Sequence, residues 1–186
     1  MRADAKRNRD RIVEVAREIF RERGYDASLD EIAKRAGVGP GTLYRHFPTR
    51  DALLDAVMQL WVDRVTETTD KALTHEGSPR EFLLWWFEAY VGLISLHKGG
   101  PAKITSAMGA DDSPIATKTR VLIAATQRIL DHLRAQGALR AQDVDALQMC
   151  RLAGGVAVVA DQGDLDPTAV RSMLGVLADG LLRSTG

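Results

Sequence analysis

A chain of 186 residues fits one large domain, or a small domain joined to a medium one. Hydrophobic residues make up 45% of it and charged residues 27%, which are ordinary values for a globular protein. No apolar run approaches the roughly 18 residues of a membrane span, and the charged stretch MRADAKRNRDR at the N-terminus does not resemble a signal peptide. The single cysteine, Cys150, excludes an internal disulfide, which suits the reducing cytoplasm.

The net charge is zero, but the charge is unevenly distributed. Residues 1–50 contain 12 Lys and Arg against 8 Asp and Glu, whereas residues 51–186 contain 13 against 17. A basic N-terminal part on an acidic remainder indicates a polyanionic partner for the N-terminal part. The alternative interpretation is a chance excess of four charges.

The first helices can be placed from periodicity and stop signals. Apolar residues at helical spacing predict a helix over about residues 6–23, with Gly24 as its stop. The stretch SLDE then has Ser28 at an N-cap position and Glu31 three residues later, the pattern of a capping box. This second helix is expected to end just before Gly37, which can adopt the left-handed conformation.

Further helices follow without a convincing strand between them. A third helix of about seven residues lies in GPGTLYRHF, and a long fourth helix follows over about residues 49–73 with Thr49 as its cap. SPRE at 78, SPIA at 113 and DPTA at 166 each combine a Ser or Asp N-cap with Pro at the first helical position. A short helix after KGGPA and another over about residues 141–161 bring the expected total to about nine. The sequence therefore predicts an all-α protein.

The second and third helices, joined by Gly-Val-Gly, are too short to be stable alone and must be held by packing. Two short helices with a tight glycine turn are typical of a helix-turn-helix unit. On the third helix, Leu43 and Phe47 share one face and can pack inward on the second helix. The opposite face carries Gly41, Thr42 and Arg45, flanked by Tyr44 and His46.

The start of this third helix has the chemistry of a surface that binds DNA. Free N–H groups and the positive dipole end suit a phosphate, and glycines lack the Cβ that would hold another surface away. Pro40 preorganises the first turn between Gly39 and Gly41. Behind this tip, Thr42 and Arg45 can reach base edges in a major groove. The glycines and proline could alternatively form only a turn.

The segment SLDEIAKRAGVGPGTLYRHFPTRDAL closely resembles the DNA-binding region of the tetracycline-repressor (TetR) family of bacterial regulators. The close resemblance covers about residues 8–55, and the helix count extends it more loosely to the whole chain. It implies a three-helix DNA-binding domain at residues 1–50 and a helical ligand-binding and dimerisation domain at residues 51–186. The fourth helix, about 49–73, would link the two.

The resemblance also implies roles for individual residues. Ser28 matches a cap that touches phosphate, and Arg50 stands where the family usually has a phosphate-binding lysine. The complete set expected at DNA is Ser28, Gly39, Pro40, Gly41, Thr42, Tyr44, Arg45, His46 and Arg50. At Gly39 and Pro40 the sequence departs from the family's usual small polar residue and its basic or variable one, which leaves the operator sequence open. Five basic residues could form an arm reaching adjacent phosphates or the minor groove, or a solvated, disordered tail: Arg2, Lys6, Arg7, Arg9 and Arg11.

The fifth helix, beginning at SPRE, is apolar nearly all round, which predicts a central, buried position. Large aromatic side chains with a few polar tips typically line a small-molecule pocket, although plain core is the alternative for each one. Given the family, the residues expected at such a pocket are Trp85, Trp86, Tyr90, His97, Met108 and Met149.

Two C-terminal stretches rich in small residues, LAGGVAVV at 152–159 and SMLGVLADGLL at 172–182, allow close helix packing. The resemblance places the last two long helices at a twofold homodimer interface, and intramolecular packing is the alternative. The four histidines and the cysteine show no metal-ligand spacing, and no catalytic motif is present, so we expect neither an enzyme nor a cofactor beyond an unidentified small-molecule effector.

Together these features predict a cytoplasmic, ligand-responsive dimeric repressor that binds a palindromic, double-stranded DNA operator. An activator of the same family, or a regulator without a ligand, is an alternative within this class. A helical protein–protein adaptor that does not bind DNA is the alternative from another class.

Overall fold

The computed structural model describes residues 2–24, 26–96, 98–109, 114–140 and 144–183. Over this part of the chain the structure is all-α, as predicted, with an isolated antiparallel bridge between Leu139 and Leu182 as its only β pairing. Its nine helices are α1 (Arg2–Arg23), α2 (Leu29–Arg35), α3 (Pro40–His46), α4 (Arg50–Leu73), α5 (Pro79–Ile94), α6 (Gly100–Ser106), α7 (Pro114–Ala135), α8 (Ala146–Gly163) and α9 (Pro167–Leu181). Within the same ranges, none of the helices is both long and apolar enough to cross a membrane.

Most of the predicted helix starts are confirmed by their caps. Oγ of Ser78 accepts from the backbone N–H of Glu81 in a complete capping box, and the Asp166 side chain accepts from two backbone N–H groups of α9. Oγ1 of Thr49 accepts from the N–H of Ala52 at 3.1 Å. The predicted cap at Ser113 lies outside the described residues. These local side-chain contacts explain why short sequence patterns locate the helices.

Two predicted boundaries are wrong. Helix α1 begins at Arg2 rather than near Lys6, and α8 begins at Ala146 rather than near residue 141. The start of α8 is fixed by a capping box, in which the Asp145 side chain accepts from the N–H of Gln148 at 2.7 Å and the Gln148 side chain accepts in return at 3.1 Å. A helix that started earlier would lose these two bonds.

The chain forms two compact units, Met1–Trp61 and Val62–Gly186, with the boundary inside α4. In the first unit, α1 packs against both α2 and α3. Its core consists of buried apolar residues from α1 to the start of α4: Ile12, Val13, Ala16, Ile19, Phe20, Ala27, Ile32, Ala33, Ala36, Leu43, Phe47 and Leu53. The short helices therefore obtain their stability from tertiary packing, as their length requires.

In the second unit, α5 packs against α7, α8 and α9, and α6 packs against α8. Half of the 16 residues of α5 are buried, including Phe82, Trp86 and Tyr90, which confirms the prediction of a central helix. At its surface, Arg80 of α5 makes two hydrogen bonds with the carboxylate of Asp179 of α9, at 2.6 and 3.0 Å. Helix α5 thus organises the core of this unit.

Candidate nucleic-acid interface

The turn between α2 and α3 is closed by backbone hydrogen bonds. Gly37 has a φ of +65° and donates its N–H to the carbonyl of Lys34, while Val38 donates to Ala33 at 3.0 Å. Glycine adopts this left-handed conformation without the steric penalty that a Cβ imposes. Leu43 and Phe47 are buried in the core of the first unit. The arrangement fixes α3 relative to α2 and matches the predicted helix-turn-helix geometry.

The opposite face of α3 is open to solvent. Tyr44 is 46% exposed, Arg45 is exposed, and Thr42 and His46 are half-buried. The prediction from helical periodicity that Leu43 faces inward and Arg45 faces outward is therefore confirmed. Contact between the outward residues and DNA remains a prediction.

The start of α3 also remains open. Gly39 is the N-cap, with extended backbone, and Pro40 is the first helical residue. A Cβ added to Gly39 or Gly41 would meet no atom within 4 Å, and neither residue has a positive φ. The fold of the free protein therefore does not require glycine at either position.

Arg45 makes two hydrogen bonds within its own helix. Nε donates to the carbonyl oxygen of Gly41 at 3.2 Å, and Nη2 donates to Oγ1 of Thr42, also at 3.2 Å. These contacts join three of the residues that the sequence predicts at DNA. The sequence analysis assigned them separate roles and missed the link, although helical spacing of three and four residues could have indicated it.

The capping box predicted for α2 is wrong. Ser28 is the N-cap, but its side chain makes no cap hydrogen bond and is exposed. Glu31 instead accepts from Nη1 of Arg23, in the last turn of α1, at 2.6 Å. The Glu31 carboxylate is thus engaged by a side chain of another helix instead of by the backbone N–H of Ser28.

Arg50 has a structural contact that the sequence analysis missed. Its Nη1 donates to the carbonyl oxygen of Ala27 at 2.6 Å, and the side chain is partly buried. The bond ties the segment before α2 to the start of α4. Because its two ends are 23 residues apart, no local pattern could have revealed it. The predicted phosphate contact of Arg50 remains a prediction.

The basic residues near the N-terminus belong to a helix and not to a disordered tail, whereas their contact with phosphates or the minor groove remains a prediction. All five lie on α1. Nζ of Lys6 is 2.9 Å from the carboxylate of Asp10, and Arg7 pairs with Asp4. Pairs spaced three and four residues apart stabilise a helix, which explains its continuation towards the N-terminus.

Two arginines of α1 contact the segments that flank α3. The guanidinium of Arg9 lies over the ring of Phe47, 5.3 Å from its centroid, within the range of a cation–π contact. Nη2 of Arg11 donates to the carbonyl of Gly37 at 3.4 Å. Arg9 and Arg11, which the sequence predicts near DNA, thus also contact the C-terminal end of α3 and the turn that precedes α3.

The residues predicted at an effector pocket differ in how deeply they are buried. Trp86, Tyr90, Met108 and Met149 are buried, whereas Trp85 is half-buried and stacks on His75 with ring centroids 6.2 Å apart. His97 lies outside the described residues. Trp85 therefore contacts His75, which the sequence analysis did not predict at a pocket.

A buried polar chain links α5, α8 and α7. The hydroxyl of Tyr90 donates to the carbonyl of Cys150 at 3.1 Å, and Sγ of Cys150 donates to Oγ1 of Thr126 at 3.2 Å. Burial raises the pKa of the Tyr90 hydroxyl well above its usual value and that of the Cys150 thiol to about 11. Both groups are therefore protonated near neutral pH and act as donors. Among the described residues, no cluster of His, Cys, Asp and Glu could hold a metal ion.

The paired short helices on a buried core, with polar residues exposed on the second, define a helix-turn-helix DNA-binding domain. Residues 12–57 match the family described as bacterial regulatory proteins of the tetR family. Residues 78–183, more than half of the chain, match the C-terminal domain of SbtR-like transcriptional regulators. The chain belongs to the TetR family of transcriptional regulators.

Individual relatives agree with this assignment. The TetR transcriptional regulator SCO0520 from Streptomyces coelicolor is 30% identical and aligns over 96% of this chain and 99% of its own, with a TM-score of 0.64. The TetR transcription regulatory protein from Mycobacterium vanbaalenii is 33% identical over 98% and 99% of the two chains, with a TM-score of 0.58. The regulator SAUSA300_2515 from Staphylococcus aureus (strain USA300) is 48% identical over 64 residues, 34% of this chain. That match spans only 35% of the relative's length.

Proposed function

We propose that this TetR-family regulator is a dimeric repressor that binds a palindromic operator and releases it when a small molecule occupies the second unit. It acts by binding rather than by catalysis, in the bacterial cytoplasm where its DNA target lies. The observation that carries the proposal is the exposed face of α3, whose polar side chains stand on a helix anchored from behind by Leu43 and Phe47.

The first unit supports binding in a major groove. An α-helix that presents an arginine and a threonine can contact base edges, and an open glycine tip lets its backbone approach phosphates. The excess of four positive charges in residues 1–50 adds attraction that is independent of sequence. The residues proposed at DNA are Ser28, Gly39, Pro40, Gly41, Thr42, Tyr44, Arg45, His46 and Arg50.

The last two helices support a homodimer. Large apolar side chains are exposed on them, at Leu152 and Val159 of α8 and at Val176 of α9, which is 71% exposed. Apolar side chains exposed on neighbouring helices suit burial against a second copy of the chain. A dimer would bring two recognition helices to the two halves of a palindrome.

Effector control can be carried by α4, because this helix belongs to both units. We propose that a ligand among the buried side chains of the second unit biases the position of α4. A change in α4 alters the separation of the two recognition helices and lowers their combined affinity for the operator. By linkage, operator DNA must then weaken effector binding by the same factor.

Fluorescence anisotropy with the duplex found upstream of the protein's own gene tests the DNA part directly. We expect tight binding that weakens steeply with salt, and at least a thousandfold weaker binding to an unrelated duplex, on the order expected for specific readers. Arg45→Ala should reduce this preference by on the order of tenfold for each half-site, without changing the thermal unfolding temperature. Equal affinity for both duplexes would favour the adaptor instead, and unchanged DNA affinity at saturating effector would remove the ligand response.

A further inference from the structure

The guanidinium of Arg45 is held by one of its edges. The N–H of Nε and the nearer N–H of Nη2 point the same way from the planar group, so they form one edge of the fork. The Gly41 carbonyl and the Thr42 hydroxyl accept these two hydrogens. Among the described residues, nothing is hydrogen-bonded to the other edge, formed by Nη1 and the second N–H of Nη2, and the side chain is exposed.

The open edge has the shape that a guanine requires. In the major groove a guanine presents two acceptors, O6 and N7, and two parallel N–H groups of an arginine can satisfy both. An arginine that is free in solution must lose rotamer freedom before it makes this contact, whereas one already fixed loses less. Thr42 is well suited to fix it, because its side chain is half-buried and its β-branched carbon restricts rotation.

We propose that Thr42 is a positioning residue that holds Arg45 so that its outer edge contacts O6 and N7 of one guanine in each operator half-site. This inference rests on the function proposed above. The sequence analysis predicted separate base contacts for Thr42 and Arg45. In this arrangement only Arg45 contacts the base, and Thr42 acts by holding Arg45.

The test begins with the full-length protein and a library of random 30-base-pair duplexes, from which the wild type selects its own site. Each selected guanine is then replaced by adenine, or by 7-deazaguanine, which keeps base pairing but lacks N7. For one guanine per half-site we expect both replacements to weaken wild-type binding by on the order of tenfold.

The variants separate positioning from direct contact. Thr42→Val keeps the shape of the side chain but removes the acceptor, and should reduce the discrimination between guanine and adenine towards that of Arg45→Lys, while the Gly41 carbonyl still holds Nε. Thr42→Ser retains a hydroxyl and should restore most of the discrimination. In the Arg45→Lys background, Thr42→Val should have no further effect on discrimination, because the arginine that the threonine holds is already gone.

The outcomes distinguish the inference from the function on which it rests. If the wild type selects no sequence, the proposed function fails. If it selects a site but Thr42→Val discriminates at the guanine as well as the wild type does, or if no guanine is required, the positioning role is refuted and the function stands. Circular dichroism on heating checks that each variant is folded, and Thr42→Ala replaces Thr42→Val if the valine variant does not fold.

Discussion

Replacing Gly41 by alanine should change the stability of the protein and its DNA affinity in opposite directions. A Cβ at this position meets no atom within 4 Å, and φ is not positive, so the substitution introduces no clash or backbone strain. Alanine is a better helix former than glycine by up to about 1 kcal/mol. Because Gly41 is the second residue of α3, we expect the free energy of unfolding to rise by about 0.3–1 kcal/mol.

On DNA the same methyl group should be unfavourable. It would stand at the exposed tip of α3, between the backbone and any phosphate that approaches it. Losing one hydrogen bond between a backbone N–H and a charged oxygen costs about 1.5–3 kcal/mol. The dissociation constant for the operator should therefore rise by about 10- to 100-fold for each half-site that the dimer contacts.

Urea unfolding gives the stability change, and fluorescence anisotropy at fixed salt gives the affinity. Gly92→Ala is a matched control, because Gly92 lies exposed in α5 and its added Cβ also meets nothing within 4 Å. Both variants should be at least as stable as the wild type, and only Gly41→Ala should bind DNA more weakly. If the two variants bind DNA equally well, the close approach of α3 to DNA is refuted.

Three further predictions concern stability. Gly154→Ala should lower the free energy of unfolding by about 1–3 kcal/mol, since its Cβ would lie 2.6 Å from Oγ1 of Thr105; urea unfolding measures the loss. Arg50→Ala should lower the free energy of unfolding by about 1–3 kcal/mol, because it leaves a backbone carbonyl without its charged donor. If the residue also binds a phosphate, the slope of log affinity against log salt should become shallower by about 0.9 for each Arg50 of the dimer. Arg80 lowers the pKa of the Asp179 carboxyl, so their pairing should stabilise the fold fully at a pH above 3.8, the ordinary pKa of this group. This stabilisation should be lost as the pH falls through the lowered pKa. Arg80→Met should therefore make the decline in thermal unfolding temperature at acid pH less steep.

Each of these has its own check. Adding Thr105→Ala to Gly154→Ala should recover most of the lost stability, and a double variant as unstable as the single one would exclude the clash as the cause. Unchanged stability in Arg50→Ala would mean that the bond to the backbone contributes nothing in solution. An acid-side decline identical in Arg80→Met and wild type would contradict the lowered carboxyl pKa.

The helices could be predicted well because their starts are encoded within a few residues. Ser78 followed by Pro79, and Asp166 followed by Pro167, place a capping acceptor beside a residue already shaped for the first turn. The same reasoning failed for Ser28, where Glu31 bonds to an arginine of another helix instead of completing the box. A local rule predicts the outcome only where no distant group competes for the same side chain.

The candidate site was predicted less completely than the fold. Helical periodicity separated the buried Leu43 from the exposed Arg45, which is a property of one helix. The contacts of Arg9 with Phe47, and of Arg50 with the segment before α2, depend on how the chain folds back on itself. Long basic side chains can reach many partners, so composition alone cannot choose between a phosphate, a ring and a carbonyl.

The separation of faces on α3 also bears on how such a regulator can diverge. The residues that stabilise the helix, Leu43 and Phe47, are not those proposed to read the operator. Tyr44 and Arg45 are exposed, and replacing exposed side chains usually alters folding stability little. A duplicated copy of the gene could therefore acquire a new target sequence through a few changes on this face, without needing compensating changes in the core.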